Sequence, residues 1–269
     1  MRARNYPLLI GGTIVLLVAL GALLGGYLLS HHPAQGDLAA RLEGPSPAHP
    51  LGTDHFGRDI LSRIWQGSRI ALSVGGGSVA LGLVGGLAIG SIAGLGKGWV
   101  GELLMRLMDA LLAFPGVLLA MALAAALGPR ESTVIIALGL ANIPIFARLA
   151  RAAVLVVEKE QFVLAARVLG AGPLHIWWRH ILPNGLPSLL AQASLSFATA
   201  IIVEAGLSFL GLGTQPPLAS WGRMLSEARD YMGISPWMAL FPGLALAITV
   251  LGFNLLGEGI RRALNPRRQ

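Results

Sequence analysis

One acidic residue stands inside a long apolar stretch of the sequence. Glu204 is the only charged residue between about Ser188 and Leu212, and an acid in hydrocarbon is costly unless it is hydrated, paired or protonated. It belongs to a row of polar residues at helical i, i+4 spacing, so one face of this helix is polar. The row predicts a face that lines a translocation path, with hydrogen bonding to neighbouring helices as the alternative; its members are Gln192, Ser196, Glu204 and Ser208.

Motifs for catalysis, metal binding and nucleotide binding are not found in the sequence. An intramembrane enzyme built on Glu204 needs a second catalytic group at matching depth, and the apolar run 110–128 has no acid or histidine. His175 and His180 are five positions apart, which does not place them on one helical face as a metal pair requires. The G-x-G-x-x-G string 96–101 follows an apolar run rather than a strand, which indicates a loop. Four further histidines are interpreted as exposed loop residues: His31, His32, His49 and His55.

The composition indicates a membrane protein. Hydrophobic residues make up 54% of the 269-residue chain and charged residues only 12%, which excludes an ordinary soluble domain and a disordered chain. The chain has no cysteine, which excludes disulfides, thiolate zinc sites and cysteine catalysis. The net charge of +7 is no sign of nucleic-acid binding, because in a membrane chain the placement of charges matters more than their sum.

Six apolar runs are long enough to cross a bilayer, whose hydrocarbon core of about 30 Å needs roughly 20 helical residues. The first run exceeds the apolar region of a signal peptide and no small-residue cleavage site follows it, so it predicts an anchor that is retained. The runs are 5–30, 70–96, 110–129, 132–155, 188–212 and 236–257.

Six spans place both termini on one side of the membrane. Most of the Lys and Arg residues fall in the segments on that side, whereas outer acids balance the outer cations, so the positive-inside rule favours cytoplasmic termini. The predicted fold is an all-α bundle of six transmembrane helices. Its parts are an anchor helix 1–36, an outer segment 37–69, a five-helix core 70–258 with an inner loop 156–187, and a cytoplasmic tail 259–269.

Small residues recur every four positions in the second run. They form one smooth helical ridge, which lets a neighbouring backbone approach closely within the bundle or in a partner subunit. The ridge consists of Ser78, Gly82, Gly86, Gly90 and Gly94.

The inner loop has the features of a docking helix. Two adjacent alanines give a short helix a small-residue face, and a glycine is placed to end it. A proline then starts a second short helix, which Pro183 would end, and Trp177 and Trp178 are expected to anchor this part in the lipid headgroups. A small surface with apolar flanks suits insertion into a groove on another protein; the docking residues are Phe162, Ala165, Ala166, Leu169, Gly170, Ala171 and Pro173.

Three blocks of sequence carry a family resemblance. The outer block, His49 to Arg63, contains L-G-T-D and G-R-D and is a glycine-rich turn followed by alternating charges, able to cap the bundle through Asp and Arg pairs. The inner block has A-A-x-x-x-G and then L-P, with Leu164 and His180 where the family pattern E-A-A-x-x-x-G…I-x-L-P has Glu and Ile. The third reads E-A-G-L-S-F-L-G-L-G from Glu204, followed by S-W-G and N-P-R. Together they resemble the permeases of ABC importers of the dipeptide, oligopeptide and nickel type, most specifically the second of the two permeases.

This resemblance implies a type I ABC importer permease fold in the cytoplasmic membrane of a bacterium or archaeon. It implies a transport subunit that is not an enzyme and holds no cofactor, since ATP and Mg would be bound by two cytoplasmic ATPases. A second homologous permease, an extracytoplasmic solute-binding protein and membrane lipid are the other implied partners. The segment from Ala165 to Pro173 would be the coupling helix, seated in a groove of one ATPase.

Peptides are the cargo that the resemblance implies, with nickel chelates or glutathione as alternatives. A transporter driven by ions is the alternative of another class. It would usually show paired inverted repeats, and we find no convincing internal repeat in the sequence.

Overall fold

The computed structural model describes residues 5–28, 31–96 and 99–264, which form ten α-helices and no strand. A π-helical turn (Trp177–Ile181) joins two of the helices, and single 3₁₀ turns lie at Leu38–Ala40 and Arg229–Tyr231. The all-α prediction is therefore confirmed. The helices are α1 (Tyr6–Leu28), α2 (Ile60–Leu95), α3 (Trp99–Leu112), α4 (Gly116–Leu127), α5 (Glu131–Val157), α6 (Gln161–Val168), α7 (Pro173–Ile176), α8 (Leu182–Phe209), α9 (Trp221–Ala228) and α10 (Trp237–Ala263).

Five helical stretches of the described chain are long and apolar enough to cross a membrane: α1, α2, α5, α10 and the continuous stretch from α7 to α8. A sixth crossing is possible only as the pair of α3 and α4, which meet at an angle of 78°. The predicted span over 110–129 is therefore a broken crossing that begins earlier, in α3, rather than one continuous helix. The break lies at Pro115, because proline has no N–H to continue the helix and keeps Phe114 before it out of helical geometry.

Two further boundaries differ from the prediction. α2 begins at Ile60 rather than near residue 70, because Asp59 caps it by accepting a hydrogen bond from the N–H of Ser62 at 2.8 Å. Pro183 does not end a helix, since the chain stays helical from Pro173 to Phe209. The π-helical turn precedes this proline, and a π turn accommodates a residue that cannot join the regular hydrogen-bond ladder.

The two tryptophans of the π-helical turn have different surroundings. The indole Nε1 of Trp177 donates a hydrogen bond to Ser91 Oγ of α2 at 2.8 Å, so this residue is held against the bundle, and its headgroup anchoring stays a prediction. Trp178 is exposed, and its anchoring role stays a prediction.

The ends of the long helices lie at two opposite sides of the bundle. The side-chain N–H of Asn5, just before α1, donates to the carbonyl of Gly259 near the end of α10 at 2.7 Å. Leu95 at the end of α2 packs near Val157 at the end of α5. We call this side the inner end and the opposite side, which holds the loop 31–59 and α9, the outer end. Several charges behind the predicted orientation, and the N-P-R string, lie outside the described residues: Arg2, Arg4, Lys97 and 265–268.

The small-residue ridge of α2 faces α5. A Cβ added at Gly86 would overlap the Cβ of Phe146, and one added at Gly94 would lie 2.7 Å from the Cβ of Val154. Gly82 and Gly90 face α5 in the same way, and Ser78 is fully buried. The backbones of α2 and α5 therefore approach too closely for larger side chains along this line.

Replacing Gly86 with Ala is expected to destabilise the bundle by about 1–3 kcal/mol, because the added methyl group must displace packed atoms of α5. Thermal unfolding in detergent would show a lower Tm. Gly12→Ala is the matched control, since no atom lies within 4 Å of a Cβ added there; its Tm should stay equal or rise slightly. Equal Tm values for both variants would contradict the close packing of α2 on α5.

Candidate functional site

The short helix α6 ends in a glycine motif at the inner end. The N–H of Gly170 donates to the carbonyl of Arg167, and the N–H of Ala171 to that of Ala166, both at 3.0 Å. This is a Schellman motif, which requires a left-handed backbone at the residue after the cap. Gly170 has φ of +85°, a conformation that only glycine adopts at low cost.

α6 is fixed to the transmembrane helices. The side chain of Val163 is fully buried, and Arg167 forms an ion pair with Glu158 after α5. Val163 packs in an apolar cluster that joins the end of α5 to the α7–α8 stretch: Val154, Val157, Ile176 and Ile181. A movement of α6 is therefore transmitted to both spans.

The opposite side of α6 is apolar and exposed. Val168 and Leu169 are each 87% exposed, and Leu164 and Leu174 extend the surface. We call these four side chains the inner knob. Exposed apolar side chains outside the long membrane-spanning helices are typical of an interaction site.

The predicted docking residues surround the inner knob. Five of them are exposed, and Ala166 and Ala171 are half-buried. The sequence interpretation overlooked Val168 and Leu174, although Val168 follows Leu164 by one helical turn, a spacing that would have revealed it. The exposed predicted residues are Phe162, Ala165, Leu169, Gly170 and Pro173.

Glu204 is enclosed by its own helix and the loop that follows. The side chain is 2% exposed, and its Oε1 accepts hydrogen bonds from Ser208 Oγ at 2.6 Å and Thr214 Oγ1 at 3.2 Å. Ser208 Oγ in turn accepts from the N–H of Thr214 at 2.9 Å. The carboxyl group thus holds the loop after α8 against the end of that helix.

Three of the four residues predicted to line the pore are buried in this conformation. Ser196, Glu204 and Ser208 face the protein interior, where members of the polar row and Thr214 satisfy their hydrogen bonds. Gln192 is half-buried and donates to Ser196 Oγ at 3.2 Å. The polar row thus finds hydrogen-bond partners in its own helix and in the loop that follows, and the pore-lining role stays a prediction.

A buried ion network connects three elements at the outer end. Asp54 Oδ2 contacts Arg58 Nε at 2.6 Å and Arg63 Nε at 3.4 Å. Glu227 Oε2 of α9 accepts from Nη2 of both arginines at 2.9 Å. The Asp and Arg pairs expected from the outer block are thus present, and they fasten the loop 31–59 to α2 and α9.

Three histidines of the loop 31–59 belong to two separate clusters of possible metal ligands. His31 and His49 rings lie 4.6 Å apart, and His49 Nδ1 is 3.1 Å from Asp59 Oδ1; this trio has ligand atoms within 4.8 Å of one another. A second trio of Asp54, His55 and Glu227 meets the same distance, but arginines already engage its carboxylates. The expectation that this chain binds no metal stays a prediction.

Burial lowers the pKa of His55 from its ordinary value of 6.5, and the charge of Asp54 only partly opposes this effect. The unfolded chain therefore takes up a proton at His55 at a higher pH than the folded protein does. Stability should fall as the pH drops below about 6.5. His55→Phe, which keeps an aromatic ring against Tyr231, should reduce this loss. Unfolding midpoints at several pH values between about 7.5 and 5.5 test this; equal slopes for both proteins would contradict it.

Comparison with known proteins places the chain in a family. The sequence profile described as "Binding-protein-dependent transport system inner membrane component" matches residues 86–269. The dipeptide transport system permease protein DppC of Alkalihalophilus pseudofirmus is 43% identical over 264 residues, which are 98% of this chain and 87% of that protein. The glutathione transport system permease protein GsiD of Pectobacterium atrosepticum is 44% identical over 98% of this chain and 88% of its own length.

Solved structures show the same fold. A chain of the MetNI methionine ABC transporter, in an inward-facing conformation, superposes with a TM-score of 0.60 at 20% identity over 77% of this chain and 96% of its own. A chain of an amino acid ABC transporter crystallised with histidines gives a TM-score of 0.57 at 16% identity, over 74% and 93%.

These findings define the class first: a polytopic helical membrane protein with the permease fold of type I ABC transporters. The chain belongs to the family of binding-protein-dependent transport system inner membrane components, and it is a permease subunit of an ABC transporter.

Proposed function

We propose that this chain is one of two permeases of an importer that carries short peptides, energised by two separate cytoplasmic ATPases. A solute-binding protein on the outer side delivers the peptide. A second, homologous permease completes the pathway. The observation that carries this proposal is the inner knob on α6.

The inner knob has the chemistry of a coupling contact. A helix of eight residues is not stable alone in water, so α6 depends on the anchor of Val163 and on a partner over its exposed side. Burying Val168 and Leu169 in an apolar groove contributes about 1.5–3 kcal/mol for each side chain. The occupied groove belongs to an ATPase, and its movement is transmitted through Val163 to α5 and the α7–α8 stretch.

Charge supports the proposed orientation, in which the inner end faces the cytoplasm. Cationic side chains accumulate near this end, as the positive-inside rule requires for a cytoplasmic side. They are Arg151, Arg167, Arg179, Arg261 and Arg262.

Relatives support short peptides as the cargo. Two are named for dipeptides and for di- and tripeptides, and others for glutathione, which is itself a tripeptide. These cargoes share a short peptide backbone that carries a charged group at each end. Nickel chelates are therefore the less favoured alternative.

Site-specific crosslinking tests the docking proposal. Because the chain has no cysteine, a single cysteine at Val168 can carry a photoactivated crosslinker in the assembled complex. We expect an adduct with an ATPase subunit from position 168 and none from a cysteine at the exposed Leu38 of the outer end. Reaction of the probe at 168 with lipid alone would overturn the proposal.

ATP hydrolysis by the complex tests the cargo. Binding protein loaded with di- or tripeptides should stimulate hydrolysis, whereas stimulation by nickel chelates and not by peptides would overturn the assignment.

A further inference from the structure

An exposed ion pair joins α3 and α5. Asp109 of α3 and Arg148 of α5 form a contact of 2.6 Å between Oδ1 and Nη2, and their side chains are 58% and 53% exposed. A second exposed pair, Glu102 with Arg106, lies on the same face of α3, because positions 102, 106 and 109 follow the helical repeat. α3 therefore presents one charged face.

The depth of the pair places it inside the hydrocarbon layer. Arg148 lies nine residues before the end of α5 at Val157, about 13 Å along the helix axis. Asp109 lies at a similar depth, because its Oδ1 is 2.6 Å from Nη2 of Arg148. α5 has 27 residues and a length of about 40 Å, so it extends only about 5 Å beyond each side of a 30 Å layer.

Lipid is a poor environment for this pair. An arginine can extend its long side chain toward the headgroups, but the short side chain of an aspartate cannot, and Asp109 holds the guanidinium of Arg148 at its own depth. Charged groups at such depth face water-filled cavities or protein. Beside the charged face of α3 runs an apolar one with Leu103, Leu107 and Leu111 exposed, so α3 lies at the border between two environments.

We propose that Asp109 and Arg148 line the inner half of the substrate path and bind the two charged ends of a peptide as it passes. This inference rests on the proposed function as a peptide permease. Arg148 binds the terminal carboxylate, and Asp109 binds the terminal ammonium group.

The chemistry of the pair fits a transient site. A guanidinium carries five N–H donors, and one contact to Asp109 engages Arg148 among the described residues. A zwitterionic peptide exchanges one ion pair for two, so every charge keeps a partner throughout. Because the peptide must break the Asp109–Arg148 ion pair to bind, its net gain in free energy is small and binding is weak. Weak binding suits a translocation path, since the peptide must leave each site as readily as it enters.

Thiol labelling of the assembled transporter tests the location. In the cysteine-free chain, a cysteine at Ala152 reports on the face of Arg148, since Ala152 is exposed one turn further along α5. In inside-out vesicles without nucleotide, a charged methanethiosulfonate reagent should label this cysteine rapidly. A control cysteine at Leu107, on the apolar face of α3, should react slowly. Equal slow rates would show that the pair is covered by lipid or by the second permease, and would overturn the proposal.

Protection of the same cysteine tests the ligand. A free dipeptide added at about twice its dissociation constant should lower the labelling rate about threefold by mass action. The N-acetylated dipeptide amide should not protect. Asp109→Asn and Arg148→Gln should each remove the protection by free dipeptide, measured as the ratio of each variant's own labelling rates with and without peptide. If both variants retain protection, or if the blocked peptide protects equally, the proposal fails.

The unmodified complex is first tested for ATP-driven dipeptide uptake. Normal uptake without labelling or protection would reject this inference alone, whereas absent uptake of any peptide would reject the proposed function.

Discussion

Replacing Leu169 with Asp is expected to abolish transport while leaving the helical bundle folded. The leucine is 87% exposed, so folding of the chain does not depend on it, and under the proposed function its contribution is made in the groove of an ATPase. The variant loses about 1.5–3 kcal/mol of burial and places an unpaired carboxylate in an apolar groove. Since about 1.4 kcal/mol corresponds to tenfold in affinity, the lost burial alone should weaken docking by about 10- to 150-fold, and the buried carboxylate weakens it further. Peptide-stimulated ATP hydrolysis by the purified complex measures this effect.

A matched control separates docking from general damage. Leu38 is 73% exposed at the outer end, and Leu38→Asp makes the same chemical change away from the inner knob. This variant should hydrolyse ATP and bind the ATPases as the unmodified protein does. Full peptide-stimulated hydrolysis by Leu169→Asp would contradict the role of the inner knob.

Replacing Arg63 with Met is expected to destabilise the protein by about 3–5 kcal/mol, the cost of removing one partner from a buried ion network. Arg63 is 1% exposed and contacts both Asp54 and Glu227. Without it, two buried carboxylates keep only Arg58 as a shared partner, with the weaker contact of Arg223 to Glu227. The Tm in detergent should fall by roughly 6–20 °C, given about 2–4 °C per kcal/mol in a chain of this size.

Arg69 provides the control for this prediction. It lies six residues further along α2 and is exposed, so Arg69→Met should change the Tm little. A Tm for Arg63→Met within about 1 °C of the unmodified protein would contradict a stabilising network.

Hydropathy predicted where the chain crosses the membrane but not the shape of each crossing. The run around Pro115 is apolar throughout, and hydropathy does not distinguish a straight helix from two helices at 78°. The start of α2 was placed too late because charged residues were expected outside the membrane helix. Arg63 is buried there since Asp54 and Glu227, distant in sequence, neutralise it.

Local motifs at the site were predictable, whereas the directions of helical faces were not. The glycine stop of α6 was predicted at the correct residue, because a left-handed cap needs glycine. The spacing of the row around Glu204 shows which residues share a face, but only packing decides whether that face turns inward. The pair of Asp109 and Arg148 joins positions 39 apart, and neither residue forms a motif that would have paired them.

Uptake of a radiolabelled dipeptide by proteoliposomes tests the central claim most directly. The liposomes would contain this chain, the second permease and the ATPases, with the binding protein on one side and ATP on the other. We predict uptake that requires both ATP and the binding protein, that does not follow an imposed proton gradient, and that is lost with Leu169→Asp. Uptake driven by the proton gradient without ATP, and retained by Leu169→Asp, would contradict the account.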